Sequence, residues 1–325
     1  MNHRRRLGAI VAALLTISLF VILWSQKWNL YDAFRLRGYQ PSLQIVQLAN
    51  DTSMSGRGRH LFYVYHPELN DKDSFNENCK SRGNEQTIVL GCYVGGVGIY
   101  VYNVTDPRLQ GITQVTSAHE MLHAAYGRLQ GKEKLRIDKL LNQAYTGSDN
   151  TRLKETIEDY RKSGADITNE LHSILGTEIR NLPPELEQYY ARYFDNRLTV
   201  VGFSEKYEQA FTLRKQQVLD ADMKLQQLKQ QIDEAQTDLG NQKTELDQNR
   251  RQLDALLAAR QYETYNRGVP GFNAQVNAYN AQVRHIGQLI DKYNSLVAER
   301  NAIATEEGEL IKAIDSRPTT IQGHQ

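Results

Sequence analysis

The sequence predicts an α+β chain: a mainly helical domain on a small sheet, followed by a long antiparallel coiled-coil hairpin and preceded by one transmembrane helix. Three observations carry this expectation. An 18-residue run without a charge, Leu7–Trp24, lies near the start. Clusters of β-branched and aromatic residues as far as 104 then give way to helical spacing. From about 206 apolar residues recur at heptad intervals, and no proline stands between Pro184 and Pro270. With 39 basic and 38 acidic residues the net charge is +1, which leaves no extended electrostatic footprint for nucleic acid. Two cysteines are too few for a disulfide scaffold or a cysteine-built zinc site. A chain of 325 residues can bury a sizeable core and suggests two domains.

Residues 1–28 read as a short tail and a membrane anchor. As a helix, Leu7–Trp24 reaches roughly 27 Å, close to the thickness of a bilayer core. Arg4, Arg5 and Arg6 precede it, and Trp24 and Trp28 stand where an interfacial aromatic belt would lie. A cleaved signal peptide is the alternative, but no small-residue cleavage site follows in WSQKWNLYDAF. Lys27, Arg35 and Arg37 nearly cancel the positive-inside count. Cys79 and Cys92, 13 positions apart, suit a local disulfide, which persists outside the reducing cytosol; two unpaired thiols are the other reading. The expectation is a single-pass protein with a cytoplasmic N-terminus and an extracytoplasmic body.

Residues 29–59 read as a juxtamembrane linker with one amphipathic stretch, SLQIVQLA, and a loop, DTSMSGRGR. Strands are expected at 61–65 (LFYVY), 87–94 (TIVLGCYV) and 98–104 (GIYVYNV). Asp106-Pro107 can cap and start a helix, and helices broken at TGSDN, KSGAD and NLPPE follow. Together these make a domain over 60–205. Over 206–316 two apolar seams flank TYNRGVPGF, which places a hairpin turn near 262–272, with a tail at 317–325. The first seam runs from Val218 to Leu256. The second is Phe272, Val276, Tyr279, Val283, Ile286, Ile290, Tyr293 and Val297, and contains the repeat FNAQVNA, YNAQVRH. Such heptads suit either a rigid spacer or an arm that self-associates or binds a protein partner.

Residues 116–123 read TSAHEMLH, containing His119-Glu120-x-x-His123. On a helix, positions i and i+4 share a face, so both imidazoles can converge on one metal ion with Glu120 beside them as a base. On these residues the sequence resembles the zincin metallopeptidases over about 60–205. A metzincin would need glycine at 126 and histidine at 129, where this chain has Tyr126 and Leu129. The gluzincin branch takes a glutamate from a later helix. Glu170 is the first candidate, since Asn169-Glu170 resembles the Asn-Glu pair of some gluzincins; Glu178 is the second and His172 the third.

No Asp stands four residues after either glutamate, which leaves the group that orients a ligand histidine unassigned. Asp166 suits either that role or, more readily, a helix cap. The resemblance implies an α+β zincin-like fold, Zn²⁺ held by His119, His123 and Glu170, Glu120 as general base, and a peptide or protein substrate paired with an edge strand, a place that 98–104 can fill. Tyr190, Tyr193 and His172 are the candidates for holding an oxyanion, although aromatic packing explains them more readily. The expected function is a membrane-anchored zinc endopeptidase acting on envelope proteins. The alternative is a non-enzymatic adaptor working through its coiled coil, with a degenerate zincin domain.

Overall fold

A computed structural model describes Ser18, residues 26–79 and residues 89–317. The chain divides into two compact units, one from residues up to 208 and from 313 onward, the other from 209–312. Among the described residues the first unit holds, in chain order, α1 (Lys27–Leu36), α2 (Leu43–Asp51) and α3 (Gly56–Val64). Ser42 and Ser55 cap α2 and α3 by accepting from the Ile45 and Gly58 amides. These helices bury Ile45, Leu48, Ala49, Leu61 and Phe62 in the core that also holds Met121 and Leu122, so 29–59 is part of the domain and not a linker.

LFYVY is the clearest departure from expectation, because 61–64 belong to α3 and not to a strand. A short apolar run fits either state. The Ser55 cap and the spacing of buried Gly58, Leu61, Phe62 and Tyr65 decide for the helix.

Among the described residues the sheet has three strands, β1 (Glu68–Asn70), β2 (Gly91–Val94) and β3 (Gly98–Tyr102), in the order β1-β3-β2. β1 runs parallel to β3 and β2 antiparallel to it, with Gly91 opposite Val101 and Cys92 opposite Tyr100. Between β1 and β2 lies α4 (Lys72–Cys79), tied to β2 by the Cys79–Cys92 disulfide. The expected pairing of the two cysteines is therefore present. β3 is central, which corrects its expected place as the edge strand; β2 occupies an edge.

Asp106-Pro107 starts only a short 3₁₀ turn, and the next helix, α5 (Ile112–Tyr126), begins after Gly111. Then come α6 (Gly131–Thr146), α7 (Thr151–Lys162), α8 (Ile167–Glu178) and α9 (Pro184–Tyr190), broken where the turn signals stand. α5 is buried on almost every side, from Val115 to Tyr126, and the other elements form its walls. The chain end returns to this unit: Ser316 donates to the Val89 carbonyl at 2.5 Å, and Asn76 donates to the Ser316 carbonyl at 2.8 Å.

Helix α10 (Arg197–Ala258) begins in the first unit and ends in the second, which it shares with α11 (Tyr262–Ile314). Within the second unit the two helices are antiparallel: Asn249 donates to Gln275 at 2.7 Å, and Arg300 pairs with Asp222 at 3.0 Å. Ala235, Ile286 and Leu289 form its small core. The turn is at 259–261, not near 262–272, and Arg260 supplies its left-handed residue at φ 60°. TYNRGVPGF is helical throughout. The second seam also shifts by one position, with Gln282 and Leu289 packed inward while Val283 and Ile290 are 44% and 38% exposed.

No helix among the described residues is long and apolar enough to cross a membrane. The run Leu7–Trp24 that carried the anchor lies, apart from Ser18, outside the described residues. The expected single-pass localisation, with its cytoplasmic tail and extracytoplasmic body, is accordingly not supported and is set aside.

Candidate metal centre

Helix α5 places His119 and His123 one turn apart, and their rings lie 4.7 Å apart at 75°. The donor atoms of His119, Glu120 and His123 lie within 4.8 Å of one another, so this cluster could hold a metal ion. From the facing helix α8, one oxygen of Glu170 reaches 3.6 Å from Nε2 of both His119 and His123. Ligands of a tetrahedral ion with bonds of about 2.0–2.1 Å stand about 3.4 Å apart, so these separations suit an ion between the three side chains. Two imidazoles and a carboxylate also match the donor chemistry of a catalytic zinc site.

A polar group stands behind each imidazole. Asn169 Oδ1 lies 3.0 Å from His123 Nδ1, which makes Nδ1–H the donor and sets Nε2 toward Glu170. Glu178 faces the other nitrogen of His119, 4.0 Å from Nδ1. Glu178 is the last residue of α8, and Arg152 donates to its second oxygen at 2.8 Å while also pairing with Glu208. Glu170 and Glu178 thus approach opposite edges of one ring. Asp166 caps α8, accepting from the Thr168 and Asn169 amides.

Three carboxylates around two imidazoles make the site a well for positive charge. Burial by itself would lower the His119 pKa, but its hydrogen bond with Glu170 and the charges of Glu120, Glu170 and Glu178 outweigh this and hold it at about 9. Without a metal, a proton on imidazole answers that charge; a divalent cation would replace it.

A cavity of about 860 Å³ opens over this cluster, bounded by Gly91 of β2, Thr116, Tyr160 and Tyr207. Gly91 lies against Glu120, since a Cβ there would be 2.7 Å from both Cγ and Oε1 of that side chain. Tyr102 donates to the Leu90 carbonyl, and in the alternation of an antiparallel ladder this turns the Gly91 peptide group away from β3, toward the side of β2 on which no described strand pairs.

The expected oxyanion groups lie elsewhere. Tyr190 is fully buried and donates to the His172 carbonyl at 2.7 Å, Tyr189 sits 2.8 Å from His172 Nε2, and Tyr193 packs beside Tyr189. None of His172, Tyr190 and Tyr193 lines the cavity. Burial first, and then the charges of His123 and His119, push the His172 pKa down to about 3, so it stays neutral. The tyrosines at the cavity are Tyr160 and Tyr207, missed in the sequence because ordinary helix positions carry no mark of what they face. Burial, then Glu170, Glu178 and Glu120, raise the Tyr160 pKa well above its usual value. Gly91 did carry a signal, as a glycine inside a strand pattern marks close approach of backbone to a neighbour.

No protein-family model, curated protein or solved structure matches this chain.

Proposed function

We propose that the chain is a zinc-dependent endopeptidase of the gluzincin-like type. The observation that carries the reading is the approach of one Glu170 oxygen to both histidine Nε2 atoms, with Glu120 beside them in an open cleft. His119, His123 and Glu170 hold Zn²⁺, and Asn169 and Glu178 orient the two rings. When bound, the ion supplies Lewis acidity, which acidifies water and polarises a peptide carbonyl. Glu120 takes a proton onto its carboxylate from the attacking water and passes it to the departing amine nitrogen. The side of β2 on which no described strand pairs receives an extended peptide through backbone hydrogen bonds, which recognise a chain independently of its side chains. Tyr160 and Tyr207, kept protonated by burial, are the hydroxyl donors available to a developing oxyanion.

The test is Glu120→Gln, which removes the base and leaves the proposed ligands. Hydrolysis of a generic protein substrate falls by at least about 10²-fold while zinc content stays stoichiometric. Full activity in this variant overturns the mechanism. Zinc loss in Glu170→Ala is expected to be complete; full zinc in Glu170→Ala with loss in Glu178→Ala reverses the ligand assignment.

A further inference from the structure

Helix α11 carries a second face that neither its seam nor the catalytic reading uses. Beside the packed seam, Val276, Val283, Ile290, Val297, Ala304 and Ile311 recur every seven residues. Val283, Ile290 and Ile311 are 44%, 38% and 42% exposed. The adjoining column, also at intervals of seven, is Asn273, Asn280, Gly287, Asn294, Asn301 and Gly308, so the repeat seen in FNAQVNA and YNAQVRH extends along the helix. Neither column holds a charged residue. A glycine inside a helix costs about 1 kcal/mol relative to alanine, yet nothing lies within 4 Å of a Cβ built on Gly287 or Gly308. By contrast, Leu253 fills that space at Gly268. Small residues on an uncharged, aliphatic helix face suit close approach by another helix.

We propose that this face pairs antiparallel with the same face of a second copy of the chain. An uncharged face meets its own copy without like-charge repulsion, and its heptad period lets a second helix follow it along its length. From Val276 to Ile311 it runs about 53 Å, and at a helix width of about 10 Å two copies bury about 1,100 Å² in total. That clears the roughly 1,000 Å² that a biological interface needs and places the pairing among the weaker ones. Antiparallel pairing also sets each glycine against an asparagine, Gly287 opposite Asn294 and Gly308 opposite Asn273, with Asn280 opposite Asn301.

Both cysteines of the chain are in the disulfide, so an introduced cysteine is the single free thiol. The full chain is kept in excess detergent micelles, so that its apolar run does not itself join copies, and treated with a short bismaleimide. A mixture of Asn280→Cys and Asn301→Cys chains gives a covalent dimer. Either chain alone does not, because its own thiols stand about 31 Å apart at about 1.5 Å per residue. Ile290→Glu, an exposed change checked for unchanged helicity, halves the molar mass found by light scattering. Absence of cross-linking in the mixture, equal cross-linking in the single chains, or an unchanged dimer in Ile290→Glu each overturns the proposal.

Discussion

Gly91→Ala is the smallest change that reaches Glu120, the proposed base, without touching a metal-ligand candidate. The added methyl would lie 2.6 Å from Thr116 Cγ2 and 2.7 Å from Glu120 Cγ and Oε1. Ordinary carbon contacts begin near about 3.5 Å, so the Glu120 side chain must give way by close to 1 Å. A displacement of that size costs about 10²-fold in rate, equivalent to about 2.7 kcal/mol in the barrier. Overpacking costs stability about 1–3 kcal/mol, partly offset because alanine restricts the unfolded chain. The assay is kcat/KM on a peptide substrate beside zinc stoichiometry and a urea midpoint. The expected result is a loss near 10²-fold with full zinc. Thr116→Ser in the same chain removes one of the clashing carbons and recovers part of the rate. Activity and stability both equal to wild type would refute the account of Gly91 as the wall behind Glu120.

Three other changes test separate parts of the fold. Asn169→Ala and Glu178→Ala each remove a group behind a ligand imidazole and weaken zinc by about 10- to 100-fold in competition with a chelator; unchanged affinity in both rejects the orienting roles. Asp32 pairs twice with Arg128, at 2.7 and 2.9 Å, with only 9% of its side chain exposed, so Asp32→Asn costs about 3 kcal/mol in urea unfolding. Burial raises the Asp32 pKa, but the hydrogen bonds from Arg128 and His60 hold it below 3.8, so the wild-type advantage is full above 3.8 and shrinks as pH falls below it; an advantage that grows on acidification contradicts the pairing. Replacing Cys79 and Cys92 by serine removes a bridge across 13 positions and lowers stability by about 3 kcal/mol by chemical denaturation. No measurable loss would show that the bridge adds nothing to the folded state.

The site was legible where chemistry and period coincide. His119 and His123 are bound to one helix face by 3.6-residue geometry, wherever that helix packs. Ser42 and Ser55 carry the caps of α2 and α3, a local signal that the linker reading of 29–59 passed over, and LFYVY was misread because a five-residue apolar run fits a strand as well as a helix. The hairpin turn misled for a related reason. Proline and glycine at 268–271 look like a break, yet Gly268 serves the close packing of Leu253, and an arginine makes the turn.

By itself the sequence determined the local features: helix periods, the HExxH face, the Cys79 and Cys92 pairing distance, and the heptads of α10. Tertiary structure decided what meets across the chain. It set Asn169, Glu170 and Glu178 of α8 around two histidines of α5, brought Gly91 against Glu120, and turned Tyr190 and His172 into the core while Tyr160 came to the cavity. Those relations depend on how helices and strands distant in sequence pack against one another, and no periodicity within a single element encodes them.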